Sequence, residues 1–308
     1  MFRAPLLMAA RSTRLRELVE RSRLSRPVVA RFIAGRNRDE VLRSTELMLK
    51  GGLLVSLDHL GEDTTNAAQA GQLTASYVDI LDAISECGFG AQAEVSIKLS
   101  AIGLALPHGA TIAMRNTGIV CAAAQRAGTT VTIDAEDHAT TDAGLELVRE
   151  LRVEFPWVGT VLQAYLRRTE EDCRALADAG SRVRLCKGAY REPASVAFQD
   201  KGEVSASYRR CLDVLMGGAG YPMVATHDPA MITHALLAAT RNGRGVDDYE
   251  LQMLYGIRVD EQRRLADAGQ HVRVYLAYGD EWYGYFMRRL AERPANLRFF
   301  LRALVTPG

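Results

Sequence analysis

The sequence predicts an α/β fold, a parallel (βα)8 TIM barrel with amino-terminal helices, and three observations carry that expectation. Short apolar runs recur eight times along the 308 residues, each followed by helical spacing. The runs read as apolar on successive residues, which suits strands buried on both faces under a coat of helices rather than a half-exposed antiparallel sheet. Seven of them end on or beside a residue that can carry chemistry: Asp58, Lys98, Asp134, Gln163, Lys187, His227 and Tyr275. In such a barrel the chemistry gathers at the carboxyl ends of the strands, so these positions converge on one mouth.

The chain opens with a basic arm. Between Arg3 and Arg38 stand ten arginines against Glu17 and Glu20, interleaved with Leu15, Leu18, Val19, Val28, Val29, Phe32 and Ile33, a composition for helices outside the main core. Residues 1–50 are assigned to this arm, packed on the barrel, and residues 51–308 to the barrel domain with its carboxyl-terminal tail. A helix over Asp39–Lys50, spaced on Val41, Leu42, Thr45, Met48 and Leu49, stops at Gly51-Gly52. Leu53–Leu57 is the first strand, followed by a helix over Thr65–Ser85. Ala93–Leu99 is the second, with a helix over Ile112–Ala127, and Thr129–Ile133 the third, with Asp142–Glu154. Val158–Leu162 is the fourth, and Thr169, with Asp172 three residues on, reads as the N-cap of its helix. Arg182–Cys186 is the fifth, its helix delayed by the polar segment 190–203. Met223–Thr226 is the sixth, ahead of Asp228-Pro229, where proline suits a first helical position. Glu250–Leu254 and Val272–Leu276 complete the eight, with helices from near Asp260 and Asp280.

Composition narrows the function classes. With 48% hydrophobic residues the chain can bury a large core. A formal net charge of +1 gives no overall attraction to nucleic acid, so no nucleic-acid partner is expected. The arm's basic residues read as a solvated face or as a peripheral contact with anionic lipid. The apolar run that ends at Ala10 is far shorter than a membrane span and is no secretory signal, which points to a cytoplasmic protein, with the inner membrane face as the place of any lipid contact. Five widely spaced cysteines, Cys87, Cys121, Cys173, Cys186 and Cys211, match neither a disulfide framework nor a metal pattern.

Three local patterns are candidates for chemistry. Tyr285-x-x-Arg288-Arg289-x-x-Glu292 has helical spacing, so Tyr285 adjoins the arginines and Glu292 can orient either guanidinium while both reach a ligand carboxylate; the competing reading is a solvated basic face. Asp134, Glu136, Asp137 and His138 form a polar cluster. A metal there is disfavoured, because no HExxH pattern exists and Lys98, Arg184 and Lys187 bring positive charge to the same mouth. Glu136 and Asp137 suit turn or cap roles, and Asp134 is placed to orient Lys98 or an arginine. The third pattern runs from Arg184 to Tyr190, where Gly188 permits close backbone approach to a phosphate or a flavin without the GxGxxG fingerprint.

Taken together, seven blocks resemble the proline dehydrogenases: Val95-Ser96-Ile97-Lys98-Leu99-Ser100, Ile133-Asp134-Ala135-Glu136, Leu162-Gln163-Ala164-Tyr165, the segment 184–190, Ala225-Thr226-His227-Asp228, the segment 250–256, and Tyr285-Phe286-Met287-Arg288-Arg289-Leu290. The resemblance implies a distorted (βα)8 barrel with FAD over the carboxyl ends of its strands, oxidation of L-proline to 1-pyrroline-5-carboxylate as the first step of its degradation to glutamate, and a membrane quinone as electron acceptor. It implies that Lys98, Arg288 and Arg289 contact proline, the arginines gripping its carboxylate with Glu292 in support, and that Leu254, Tyr275 and Tyr285 enclose its ring. Asp134 and Arg184 would complete the catalytic region, Arg184 close to the flavin ring. Ala135, Gln163, Leu185, Lys187, Gly188, Ala189, Thr226 and His227 correspond to flavin-contact positions. Arg191 stands where the larger bifunctional relatives often carry an aromatic residue, and the aldehyde dehydrogenase domain of those relatives has no counterpart here, so only the first step is expected. By the same resemblance, Tyr275 would favour unsubstituted proline over hydroxyproline. The alternatives are a hydroxyproline or related imino-acid dehydrogenase and, in another class, a non-enzymatic barrel that binds membranes or nucleic acid.

Overall fold

The computed structural model describes residues 29–61 and 64–292, with the backbone alone for 288–292. Eight parallel strands close into one barrel in chain order: β1 (Leu54–His59), β2 (Ala93–Ile97), β3 (Val131–Ile133), β4 (Gly159–Gln163), β5 (Arg182–Cys186), β6 (Tyr221–Ala225), β7 (Glu250–Leu254) and β8 (Val272–Tyr278). Closure is made at β1, where Val55 is in register with Ala93 of β2 on one side and Val274 of β8 on the other.

The strands differ from the expected pattern in one respect that decides where chemistry can sit. They are not apolar on successive residues. Outward positions such as Val55, Leu57, Val95, Ile97, Val183, Leu185, Val274 and Leu276 are buried under the helices. The alternate positions are Ser56 and Asp58, Glu94 and Ser96, Arg182 and Arg184, Glu250 and Gln252, and Arg273, all within strands. Arg184 on β5 reaches Ser56 on β1 and Glu94 on β2, which lie across the barrel rather than beside it, so these side chains fill its interior. Helices cover the outer face, while the inner face is buried inside the closed ring, and a polar interior survives when its groups are paired.

The helices are α1 (Arg38–Lys50), α2 (Ala67–Glu86), α3 (Gly109–Arg126), α4 (Thr141–Glu154), α5 (Thr169–Asp178), α6 (Lys201–Gly217), α7 (Pro229–Arg241), α8 (Val259–Asp267) and α9 (Trp282–Glu292). Local chemistry sets their starts. Asn37, Asn66 and Asp200 cap α1, α2 and α6 by accepting backbone N–H bonds, and Asp228 caps α7 with Pro229 at its first position, as the sequence suggests. Thr169 is a correction: it is the first residue of α5 rather than its cap, because its hydroxyl donates to the Gln163 carbonyl at 2.6 Å and ties the helix to the end of β4.

A second apolar cluster covers the mouth end of β8. Val29, Phe32 and Ile33 pack there with Ile257, Trp282, Tyr285 and Phe286, and Leu254 lies against them. The rings of Phe32 and Phe286 are 6.1 Å apart, and Ala34 N–H donates to the Ala277 carbonyl at 2.9 Å. Gly256, at φ +71°, lies so close that a Cβ would come 1.7 Å from the Arg31 carbonyl oxygen. Residues 29–36 thus seat on the barrel beside α9, while residues 1–28 of the assigned arm and the tail 293–308 lie outside the described residues. Among the described residues no helix is long and apolar enough to cross a membrane.

Candidate active site

Arg184 sits at the centre of the interior, only 4% exposed, and all five of its N–H donors have acceptors. Nε donates to Gln252 Oε1 at 2.5 Å; Nη1 donates to Ser96 Oγ and Asp134 Oδ1, each at 2.7 Å; Nη2 donates to Ser56 Oγ and Glu94 Oε1, each at 3.1 Å. Burial works against the guanidinium charge, but the carboxylates of Asp134 and Glu94 outweigh it and raise its pKa. Below it, Glu94 is fully buried and also meets Arg182 at 3.1 Å and Thr130 at 2.8 Å. Burial pushes Glu94 up, yet Arg273, Arg182 and Arg184 together hold it down to about 2. Arg273 in turn binds Glu250 at 2.8 Å, so the lower barrel is a lattice of opposite charges.

Above Arg184 the network opens at the mouth. Asp134, placed just past β3, accepts from Arg184 and Ser96 on Oδ1 and from the Tyr275 hydroxyl on Oδ2 at 2.7 Å. Burial, and then the Asp134 carboxylate, push the Tyr275 phenol well above its ordinary pKa, so it stays protonated and donates. Asp134 therefore orients an arginine; the lysine goes elsewhere. Lys98 Nζ binds Asp58 Oδ2 at 2.7 Å, where burial raises the Asp58 pKa and Lys98 opposes that rise. Two carboxylates thus organise the mouth, one holding a guanidinium and a phenol, the other an ammonium.

The rim residues are held by backbone and side-chain contacts of their own. Gln163 Nε2 donates to the Glu136 carbonyl at 2.7 Å, bridging the ends of β4 and β3 around Ala135. The Glu136 carboxylate accepts from the Ser100 backbone N–H and hydroxyl, and Asp137 caps the short turn His138–Thr140, the local roles expected of them. Leu254 N–H donates to His227 Nε2 at 2.9 Å, which fixes the ring proton on Nδ1. Thr226 Oγ1 accepts from the Asp228 N–H at 3.1 Å, and Lys187 Nζ binds Asp228 at 2.7 Å and Ser205 at 3.0 Å. Ala189 is exposed, whereas the Leu185 side chain is buried between the barrel and its helices, so only its backbone can face a ligand at the mouth.

Gly188 has a positive φ of 109°, and a Cβ there would stand 2.2 Å from Cδ1 of Tyr165. Gly188→Ala is expected to destabilise the protein by about 2–4 kcal/mol, combining backbone strain with overpacking. Thermal unfolding measures this, and adding Tyr165→Ala should recover the overpacking part; an unchanged midpoint in Gly188→Ala would show that the loop has room.

The structure brings Lys98, Asp134, Arg184, Leu254 and Tyr275 to one mouth, with Gln163, Lys187, Thr226 and His227 around it. Tyr285 lies in the apolar cluster on α9. The side chains of Arg288, Arg289 and Glu292 fall outside the described residues, although their backbone continues α9. Sequence reasoning passed over Glu94, Ser96 and Gln252, which hold Arg184, and set Asp58 among the converging strand ends without pairing it to Lys98.

The family model described as proline dehydrogenase matches residues 41–302. Proline dehydrogenase 1 of Bacillus subtilis (strain 168) is 36% identical over 275 residues, covering 89% of this chain and 90% of the relative. Proline dehydrogenase of Deinococcus radiodurans is 35% identical over 308 residues, covering 99% of this chain and 98% of the relative. Among solved structures, proline utilization A (PutA) from Bdellovibrio bacteriovorus inactivated by N-propargylglycine superposes with a TM-score of 0.81 at 25% identity, over 87% of this chain and 33% of that much longer one. Matched nearly end to end by two dehydrogenases, and with the family's blocks meeting at the mouth of a closed barrel, the chain belongs to the proline dehydrogenase family.

Proposed function

We propose that the mouth built around Arg184, Asp134 and Tyr275 is where this chain oxidises L-proline to 1-pyrroline-5-carboxylate, with FAD bound over it and a quinone accepting the electrons. As a member of its family the chain is an FAD-dependent oxidoreductase acting on proline. The observation that carries the placement is the Arg184–Asp134–Tyr275 chain of hydrogen bonds, which rises from the barrel centre to the end of β3 and is closed by Tyr275 in the middle of β8.

The residues present fit a flavin nucleotide. Gly188 offers bare backbone at the rim in a conformation that leaves no room for a side chain, and the ends of β4, β5 and β6 supply Gln163, Lys187, Thr226 and His227. Ala135, Ala189 and the backbone of Leu185 would contact the group without obstructing it. Bound FAD supplies a two-electron acceptor, which no side chain can be. The chain's own residues do the positioning. Lys98, its ammonium held by Asp58, and the Arg288-Arg289 pair bring positive charge to the proline carboxylate. Tyr275, held by Asp134, and Leu254, held by His227, form walls for the ring. Arg184 is fixed rather than mobile, so its charge acts as a preorganised field beneath the reacting centre. The amine proton is assigned to solvent or lost before binding, since both carboxylates of the mouth are already paired.

Anaerobic addition of L-proline to the holoprotein tests the assignment: the oxidised-flavin absorption should bleach, and denaturation should release intact FAD. Recovery of FMN alone, or no bleaching by proline, sinks it. The basic arm and the quinone acceptor together favour peripheral contact with the inner face of the membrane.

A second reading, hydroxyproline oxidation, turns on Tyr275. Tyr275→Ser should improve hydroxyproline turnover relative to proline by roughly 1–3 kcal/mol in the ratio of specificity constants, since a hydroxyl-sized space opens beside the ring. An unchanged ratio would place the ring elsewhere.

A further inference from the structure

We propose that Glu94 is a positioning residue for the oxidation: it anchors Arg184 beneath the mouth, and its negative charge sets the potential at which bound flavin is reduced. The proposal rests on the flavin site argued above. Arg184 faces two carboxylates, Asp134 above and Glu94 below, at 2.7 and 3.1 Å. Glu94 is also the carboxylate that meets Arg182, at 3.1 Å, and it stands 4.0 Å from Arg273. The buried lattice is neutral only with Glu94 included, because Arg182, Arg184 and Arg273 are matched by Glu94, Asp134 and Glu250.

Without the Glu94 charge the lattice carries one surplus positive charge, and Arg184 is left with Asp134 as its one carboxylate. Glu94 lies on β2 four residues before Lys98, which follows the strand, so it is roughly 13 Å from that rim position along the strand at the rise of parallel β-structure. At an effective dielectric near 20, a unit charge at that range alters an equilibrium that creates a charge by close to tenfold. Reduction places negative charge on a flavin, so loss of Glu94 favours the reduced form. Tenfold corresponds to about 30 mV for a two-electron couple.

The test is a redox titration of holoprotein against a dye of known potential, for wild type, Glu94→Gln and Glu94→Asp. Glu94→Gln keeps an acceptor for Arg184 and loses the charge, so its midpoint should rise by about 30 mV. Glu94→Asp keeps the charge and should titrate with the wild type. A flavin-loaded Glu94→Gln with an unchanged midpoint overturns the proposal, as does an equal rise in Glu94→Asp. If Glu94→Gln does not accumulate as holoprotein, Arg182→Gln compared with the charge-balanced Glu94→Gln/Arg182→Gln pair decides: the double variant should titrate about 30 mV above Arg182→Gln. Equal midpoints in the two would make Glu94 a packing group only. A wild type that takes up no flavin defeats the functional reading itself, a result distinct from a wild type that titrates beside an unaltered Glu94→Gln.

Discussion

Arg184→Met should destabilise the protein by about 3–5 kcal/mol, the usual cost of removing one member of a buried ion pair and leaving its partner charged. The residue is 4% exposed and its side chain joins β1, β2, β7 and the end of β3 to β5, so methionine can replace its volume but none of its bonds. Glu94 retains Arg182 and Thr130, whereas Asp134 keeps only hydroxyl donors, Ser96 and Tyr275. The larger share of the cost therefore falls at Asp134. Chemical unfolding of the apoprotein measures it without the contribution of bound flavin, which would otherwise add a linked term. Arg184→Lys separates charge from shape: an ammonium has three donors and no planar fork, so it should recover part of the loss and not all of it. A change below about 1 kcal/mol in Arg184→Met would mean that the interior lattice does not hold the barrel together.

The same lattice explains which parts of the protein are legible in its sequence. Two strands, Arg182–Cys186 and Glu250–Leu254, span the residues that the pattern predicts, and the helices start within a few residues of their signals. The closed parallel order follows from eight repeats of strand and helix. The polar interior was hidden by a degeneracy. Glu94-Val95-Ser96-Ile97-Lys98 and Arg182-Val183-Arg184-Leu185 alternate with the period of a strand whose polar face meets water, and a closed barrel uses that alternation to face its own axis. One available signal was the joint occurrence of alternating strands and covering helices, which leaves polar residues nowhere to go but inward. Asp134 was legible because it ends a strand; the acceptors that hold Arg184 were not, because Glu94, Ser56 and Gln252 come from strands far apart in the chain and meet only on closure. Thr169 misled for a local reason, since its hydroxyl is drawn to the Gln163 carbonyl before it can cap.

The proposed carboxylate clamp carries the largest expected effect on activity. Arg288 and Arg289 follow Tyr285 on α9, a helix that starts four residues beyond the end of β8 and is anchored by Trp282 and Phe286 against Phe32. Among the described residues the anchoring contacts are made ahead of the arginines, by Trp282 and Phe286, so the helix is expected to stay seated when the pair is replaced. Each charge-assisted contact to the proline carboxylate is worth about 1.5–3 kcal/mol in a sheltered site, and each 1.4 kcal/mol is a factor of ten. Arg288→Met and Arg289→Met should each lower kcat/KM for proline by about tenfold or more, and the double variant by more than either single change but less than the product of the two, since two groups that grip one carboxylate are not independent. The loss should appear mainly in the dependence on proline concentration, because such a clamp would hold the carboxylate in the ground state and the transition state alike. Flavin content and the thermal midpoint should stay near those of the wild type, which separates a lost clamp from a displaced helix. Titrating proline under anaerobic conditions and following flavin reduction makes the measurement. If the double variant is folded and flavin-loaded yet reduces its flavin with an unaltered proline dependence, the carboxylate is held by other groups, and Lys98 with its Asp58 partner becomes the first to examine.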